Sequence, residues 1–315
     1  MPAPPTSVRL TAAAPPTSVR VATADGWSLH LASYPVLPGG RPTPAAMLLS
    51  AGMMLDGRAM DRPQGRGLAS FFQARGFAVY SLDLRGHGQS GPAASRRVDW
   101  SFDDLVTADI PAAVGAVKRW HPDLPLVWLG HSLSAHAGAV AMGLRPELPV
   151  DLLVLLCPGP WVRAFEPSWP LWQAKRGVLR AWDAVAALCG SFPAARFGVG
   201  TDDESRGYVR QHREWAASGH WRSRDRAADY LAALARIRQP ALVVAAGGDL
   251  LCRPTSVRRF AAAIGTAEAG TAAEHWRVSG RDLGRRLPPG HMSVITAPPS
   301  LPVWERIDAW LRARL

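Results

Sequence analysis

The chain has 315 residues, 48% of them apolar and 19% charged, which is enough for the full core of one α/β unit. Its net charge of +11 comes from basic residues scattered as singles and pairs such as Arg285-Arg286, with no run of five, so the expectation is a solvated basic surface and no nucleic-acid partner; no stretch reaches the roughly eighteen apolar residues of a membrane span. Cys157, Cys189 and Cys252 are an odd number without C-x-x-C spacing, which argues against a disulfide framework and a zinc site, and with no signal-peptide layout at the N-terminus it predicts a cytoplasmic protein.

Residues 3–9 read Ala-Pro-Pro-Thr-Ser-Val-Arg, and residues 14–20 repeat them. One short Pro-rich duplication is no solenoid, so residues 1–18 are expected to be a flexible tail leading into a strand at Val19–Ala22. Trp27–Tyr34 alternates as a strand. Ala45–Ser50 and Ala78–Leu82 are short apolar runs, as expected of strands buried on both faces, with a helix at Leu68–Gln73 between them that Gly76 closes. A helical region follows at Phe102–Trp120, where Pro111 must sit in a first turn or kink it. Leu124–Leu129 reads as a strand, Ser134–Leu144 as a small-residue helix and Leu152–Leu156 as another buried strand. The alternation then stops. Residues 158–236 carry six tryptophans, at 161, 169, 172, 182, 215 and 221, and no strong strand. It resumes with a strand at Ala241–Ala246 and a helix near Thr255–Ile264. Val303, Trp304, Ile307, Trp310 and Leu311 then paint one face of a last helix. The pattern is an α/β fold with a mostly parallel sheet, interrupted before its seventh strand.

Gly130-His131-Ser132-Leu133-Ser134 stands where a strand meets a helix. A sharp turn there exposes the Ser132 hydroxyl and aims free helix amides at a substrate oxygen, which a serine nucleophile needs. Gly130 and Ser134 supply the small residues that let strand and helix approach. His291, in a Pro/Gly-rich loop before the last helix, is the candidate base, because imidazole can take and return a proton at neutral pH. Asp249, three residues past the strand 241–246, is the candidate acid that holds the imidazole's tautomer. The loop 157–160 contains no carboxylate, and Asp282 is a weaker rival. The Leu133 and Met53 amides are the candidate oxyanion donors, with Gly52 letting the backbone turn. The three candidates occur in the order Ser132, Asp249, His291. No metal or cofactor is called for.

On these residues the chain, from about residue 20 onward, resembles the α/β-hydrolase superfamily of esterases, lipases and related acyl hydrolases. The segment Asp83-Leu84-Arg85-Gly86-His87-Gly88-Gln89-Ser90 resembles the superfamily's D-x-R-G-x-G-x-S turn, which implies structural roles for Asp83, Arg85 and His87. Ala51-Gly52 replaces the usual His-Gly, and Ser134 the second elbow glycine; the first departure looks most like a poorly characterised bacterial branch of predicted α/β-hydrolases. The resemblance implies an eight-stranded sheet with helices on both faces. It makes 19–157 and 237–315 the two parts of the core, and 158–236 a helical cap. It also implies an ester hydrolase acting on a small-molecule acyl substrate, and the Trp-rich cap suggests a hydrophobic one. An acyltransferase or aminopeptidase-like amidase on the same triad, and a non-catalytic ligand-binding member of the fold, are the alternatives. Oligomeric state is not readable. The cap tryptophans are either a substrate pocket or packing, and Arg163, Lys175, Arg176 and Arg180 are either anion ligands or solvated.

Overall fold

Runs of apolar residues too short for helices become the middle of a sheet. The computed structural model describes residues 15–36, 43–265, 273–296 and 300–315; the first Ala-Pro-Pro-Thr-Ser-Val-Arg copy, and most of the expected tail, lie outside them. In chain order the strands are β1 (Thr17–Ala22), β2 (Ser28–Tyr34), β3 (Ala46–Ser50), β4 (Ala78–Asp83), β5 (Leu126–His131), β6 (Leu152–Leu156), the two-residue β7 (Ser191–Phe192) and β8 (Glu204–Ser205), β9 (Ala241–Ala246) and β10 (Glu274–Val278). Eight of them form one sheet in the order β1-β2-β4-β3-β5-β6-β9-β10. β2 runs antiparallel to both β1 and β4, and every other neighbouring pair is parallel. Every residue of β3 to β6 and of β9 is buried, which is why those strands read as unbroken apolar runs.

Three strands depart from expectation for local reasons. β1 begins at Thr17, inside the expected tail, because Thr17 and Ser18 pair with Ser33 and Ala32 of β2. β5 begins at Leu126 rather than Leu124, because Pro125 accepts a hydrogen bond from Ala46 N but has no N–H to donate to the ladder. β10 escaped the sequence pattern: Glu274-His275-Trp276-Arg277-Val278 is an edge strand, pairing with β9 alone, and its charges hide the alternation.

The helices are α1 (Leu68–Ala74), α2 (Phe102–Asp104), α3 (Ile110–Trp120), α4 (Leu133–Leu144), α5 (Trp169–Cys189), α6 (Arg206–Ser218), α7 (Tyr230–Leu234), α8 (Pro254–Ala261) and α9 (Leu301–Arg312). A π-helical stretch, Leu105–Asp109, joins α2 to α3, and Pro111 is the second residue of α3, directly after it. Between β6 and β9 the chain forms α5, the small β7–β8 hairpin, α6 and α7. Trp172, Trp215 and Trp221 in this segment are buried in packing, whereas Trp169 is exposed. Trp215 and Trp221 join the main core, packing edge-on or tilted around Phe102, which is fully buried.

Candidate active site

Backbone strain gathers at one end of the sheet. Among the described residues four non-glycine residues have positive φ, and three of them, Met54 (φ 63), Ser132 (φ 54) and Cys157 (φ 49), follow the neighbouring strands β3, β5 and β6. Such conformations cost of order 1–3 kcal/mol each and persist only where the surroundings enforce them. Ser132 joins β5 directly to α4, and its amide is held by the Leu156 carbonyl at 2.8 Å. A side chain at Gly130 would meet the Ser134 carbonyl at 2.4 Å, so strand and helix approach here as the elbow requires.

Ser134 fits in place of glycine and adds a link. Its buried hydroxyl donates to the Ala51 carbonyl and accepts from the Ser50 hydroxyl at 2.8 Å. The helix start is thereby tied to the loop after β3. That loop lies against Ser132: a Cβ at Gly52 would sit 2.9 Å from Ser132 Cβ and 3.5 Å from its Oγ. Among the described residues no protein group accepts a hydrogen bond from the Met53 or Leu133 amide.

The carboxylate and imidazole meet. Asp249 is buried; its Oδ1 accepts from the Leu251 and Cys252 amides at 2.8 and 2.9 Å, and its Oδ2 accepts from His291 Nδ1 at 2.6 Å. The two loops are pinned by the Gly248 amide donating to the Pro289 carbonyl at 2.9 Å. Burial is the largest single influence on His291 and opposes its charge, but the hydrogen bond to Asp249 and the neighbouring Cys157 and Cys252 together outweigh it and hold the imidazole well above its usual range. Asp282 is occupied elsewhere, accepting from the Ser279 amide and hydroxyl. His291 is joined to the elbow through His131, which precedes Ser132: His131 Nε2 donates to the His291 carbonyl at 3.1 Å, and the two rings are 4.7 Å apart. A hydrogen bond between Ser132 Oγ and His291 is not among those the described residues form.

Three residues that pattern reading did not single out surround His291. A ring nitrogen of His131, the Cys157 thiol and a ring nitrogen of His291 lie within 4.8 Å of one another, and so do donor atoms of Asp249, Cys252 and His291. Burial pushes the Cys157 thiol up to about 11. Burial, reinforced by the neighbouring His291, holds His131 well below the usual imidazole range, so it is neutral. Their local signals were slight: His131 lies inside the elbow motif, Cys157 one residue past a buried strand and Cys252 three residues past Asp249.

The turn after β4 serves the fold. Asp83 accepts from the Gly57 and Gln89 amides and from His30 Nδ1. Arg85 pairs with buried Asp109 and with Asp25, and His87 faces Glu204 of β8 at 3.5 Å. The segment 200–202 clasps the loop after β3, with the Thr201 amide donating to the Met54 carbonyl at 2.9 Å. Met54 there packs with Ala186, Phe192, Ala194 and Val209. Lys175 is committed to Glu166 at 2.9 Å, both buried, and so is not a free anion ligand. A cavity of about 710 Å³ opens beside this region, lined by Leu55, Tyr34, Met292, Asp83 and Asp202 among others; Ser132, Asp249 and His291 are not in its wall.

A mostly parallel eight-stranded sheet, with a strained serine between strand and helix and an Asp–His pair on the loops after later strands, defines an α/β-hydrolase. The chain belongs to the family described as serine aminopeptidase, S33, which it matches over residues 53–273. It is 33% identical over 112 residues to a monoacylglycerol lipase of Mycolicibacterium smegmatis, a match spanning 36% of this chain and only 38% of that protein. Solved structures share the fold. An esterase of Pyrococcus furiosus superposes with a TM-score of 0.59 at 18% identity, covering 95% of this chain and 91% of that one. Est1E of Butyrivibrio proteoclasticus, with ferulic acid bound, superposes with a TM-score of 0.61 at 13% identity, covering 94% and 99%. Among the described residues no helix is long and apolar enough to cross a membrane.

Proposed function

We propose that the chain hydrolyses carboxylic esters through an acyl-enzyme on Ser132. His291 takes the hydroxyl proton as Oγ attacks the acyl carbon. The Met53 and Leu133 amides stabilise the oxyanion, and the imidazolium returns the proton to the leaving alcohol. Water, deprotonated by the same imidazole, then releases the acid. Asp249 keeps the Nδ1–H tautomer and offsets the charge His291 acquires. The observation that carries this reading is the 2.6 Å bond between Asp249 and His291, residues 42 apart in sequence. Catalytic hydrogen bonds to the nucleophile are often long in a free enzyme and tighten on substrate, so Ser132 remains the nucleophile of choice. The mechanism calls on no metal or cofactor.

Residues 158–236 are proposed as a cap and the flanking segments as the two parts of the core. The apolar packing of Met54 against Phe192, Ala194 and Val209 at the oxyanion loop supports a hydrophobic acyl group. The buried tryptophans support a packing role for most of the aromatic residues of the cap. The family's description favours one second reading, cleavage of an N-terminal peptide bond by the same triad. Fluorophosphonate labelling tests the common core: wild type labels, Ser132→Ala does not, and equal labelling of both rejects the assignment. A p-nitrophenyl ester series of rising acyl length, run beside amino-acid amides, separates the two readings.

A further inference from the structure

His291 is surrounded by sulfur and nitrogen donors that ester hydrolysis does not use. Donor atoms of His131, Cys157 and His291 lie within 4.8 Å of one another, brought together from the ends of β5 and β6 and from the loop before α9. Zinc binds thiolate at about 2.3 Å and imidazole at about 2.0–2.1 Å, so tetrahedral donors stand roughly 3.5 Å apart. Coordination requires the three donors to draw together from within 4.8 Å to that spacing.

His291 already has the surroundings of a metal-ligating histidine. Such a histidine donates its other N–H to a carboxylate, which fixes the ring and raises its basicity. Asp249 accepts from Nδ1 at 2.6 Å, which leaves Nε2 to face a ligand. His131 is buried, and its Nδ1 has no hydrogen-bond partner among the described residues. The alternative donor set of Asp249, Cys252 and His291 is less suited. A cation held there would have to displace the proton between Asp249 and His291 and break the bond that orients the ring.

We propose that His131, Cys157 and His291 form a binding site for a thiophilic divalent cation such as Zn2+, and that occupancy switches the hydrolase off. The inhibitory part rests on the proposed role of His291 as base. The cation takes the Nε2 position that otherwise accepts the Ser132 proton, and the proton Nε2 carries in the imidazolium form goes to solvent. The Cys157 thiol loses its proton to solvent as the Zn–S bond forms, and no electron is transferred. Three protein donors leave the fourth position to water.

The 315-residue chain, stripped of metal with a chelator, is titrated with Zn2+ by equilibrium dialysis while fluorophosphonate labelling is followed in parallel. The expected result is saturable binding of a single Zn2+ per chain, with labelling slowed by roughly tenfold or more and restored by chelator. Asp249→Asn, which weakens the support for His291, lowers affinity by roughly 10–100-fold, and Cys157→Ser lowers it further. X-ray absorption of the zinc-loaded wild type shows a sulfur neighbour at about 2.3 Å, a measurement that needs no variant to fold. Absence of saturable binding, a zinc shell without sulfur, or loss of binding in Cys252→Ser but not in Cys157→Ser overturns the site. Binding through Cys157 with undiminished labelling overturns the inhibition. Metal-free protein that never labels defeats the hydrolase reading alone, because dialysis still reports the metal.

Discussion

The strand-end rim and the aromatic cluster against α4 treat histidine in opposite ways. At the rim, His291 has a carboxylate at 2.6 Å and is held above its ordinary range. In the cluster, His136 stacks on Phe102 at 5.7 Å and His212 on Tyr208 at 5.7 Å. Among the described residues neither has a carboxylate partner, and burial depresses both to about 3. The same side chain is thus paired with a carboxylate in one place and packed among aromatic rings in the other. Partner and dielectric decide which.

The largest effect that tests this contrast is chemical. Asp249→Asn is expected to lower kcat on an ester by roughly 10⁴-fold, because the amide no longer fixes the tautomer or offsets the charge. Urea unfolding should change little by comparison. A kcat near wild type would erase the distinction. The next effect lies in the cluster. Phe102 contacts His136, Tyr208, Trp215, Trp221 and Tyr230, so Phe102→Ala should cost about 3–5 kcal/mol in urea unfolding. Folded Phe102→Ala should keep fluorophosphonate labelling; its loss would mean that the cluster also shapes the rim.

The third effect is on pH. His136 and His212 bind protons only near pH 3 when folded, whereas an unfolded histidine does so near pH 6.5. The unfolded chain therefore holds more protons between those values. The stability these groups leave intact above about pH 6.5 falls as pH drops toward 3, by at most about 1.4 kcal/mol per pH unit for each. His136→Phe with His212→Phe should flatten that decline between pH 6.5 and 5. An unchanged slope would show that other groups dominate acid unfolding.

Most of the architecture was legible in the chain. β3, β4, β6 and β9 are apolar runs buried on both faces, so composition alone marks them. The elbow was equally legible, because a strand, a small residue, a serine and a helix are local features. β10 was not, since a charged edge strand has one neighbour and no apolar signature. The tryptophans were ambiguous for a related reason: their chemistry permits packing or a pocket, and only neighbours such as Phe102 and Tyr230 place Trp215 and Trp221 in the core.

Tertiary structure alone decided which groups meet. Asp249 and Asp282 are both plausible acids on the chain, but only Asp249 reaches His291. The cysteines lack zinc-finger spacing, yet folding sets Cys157 and Cys252 beside that imidazole. Local pattern reports local backbone preference, whereas contacts across tens of residues follow from strand order, and strand order is set by how the whole core packs.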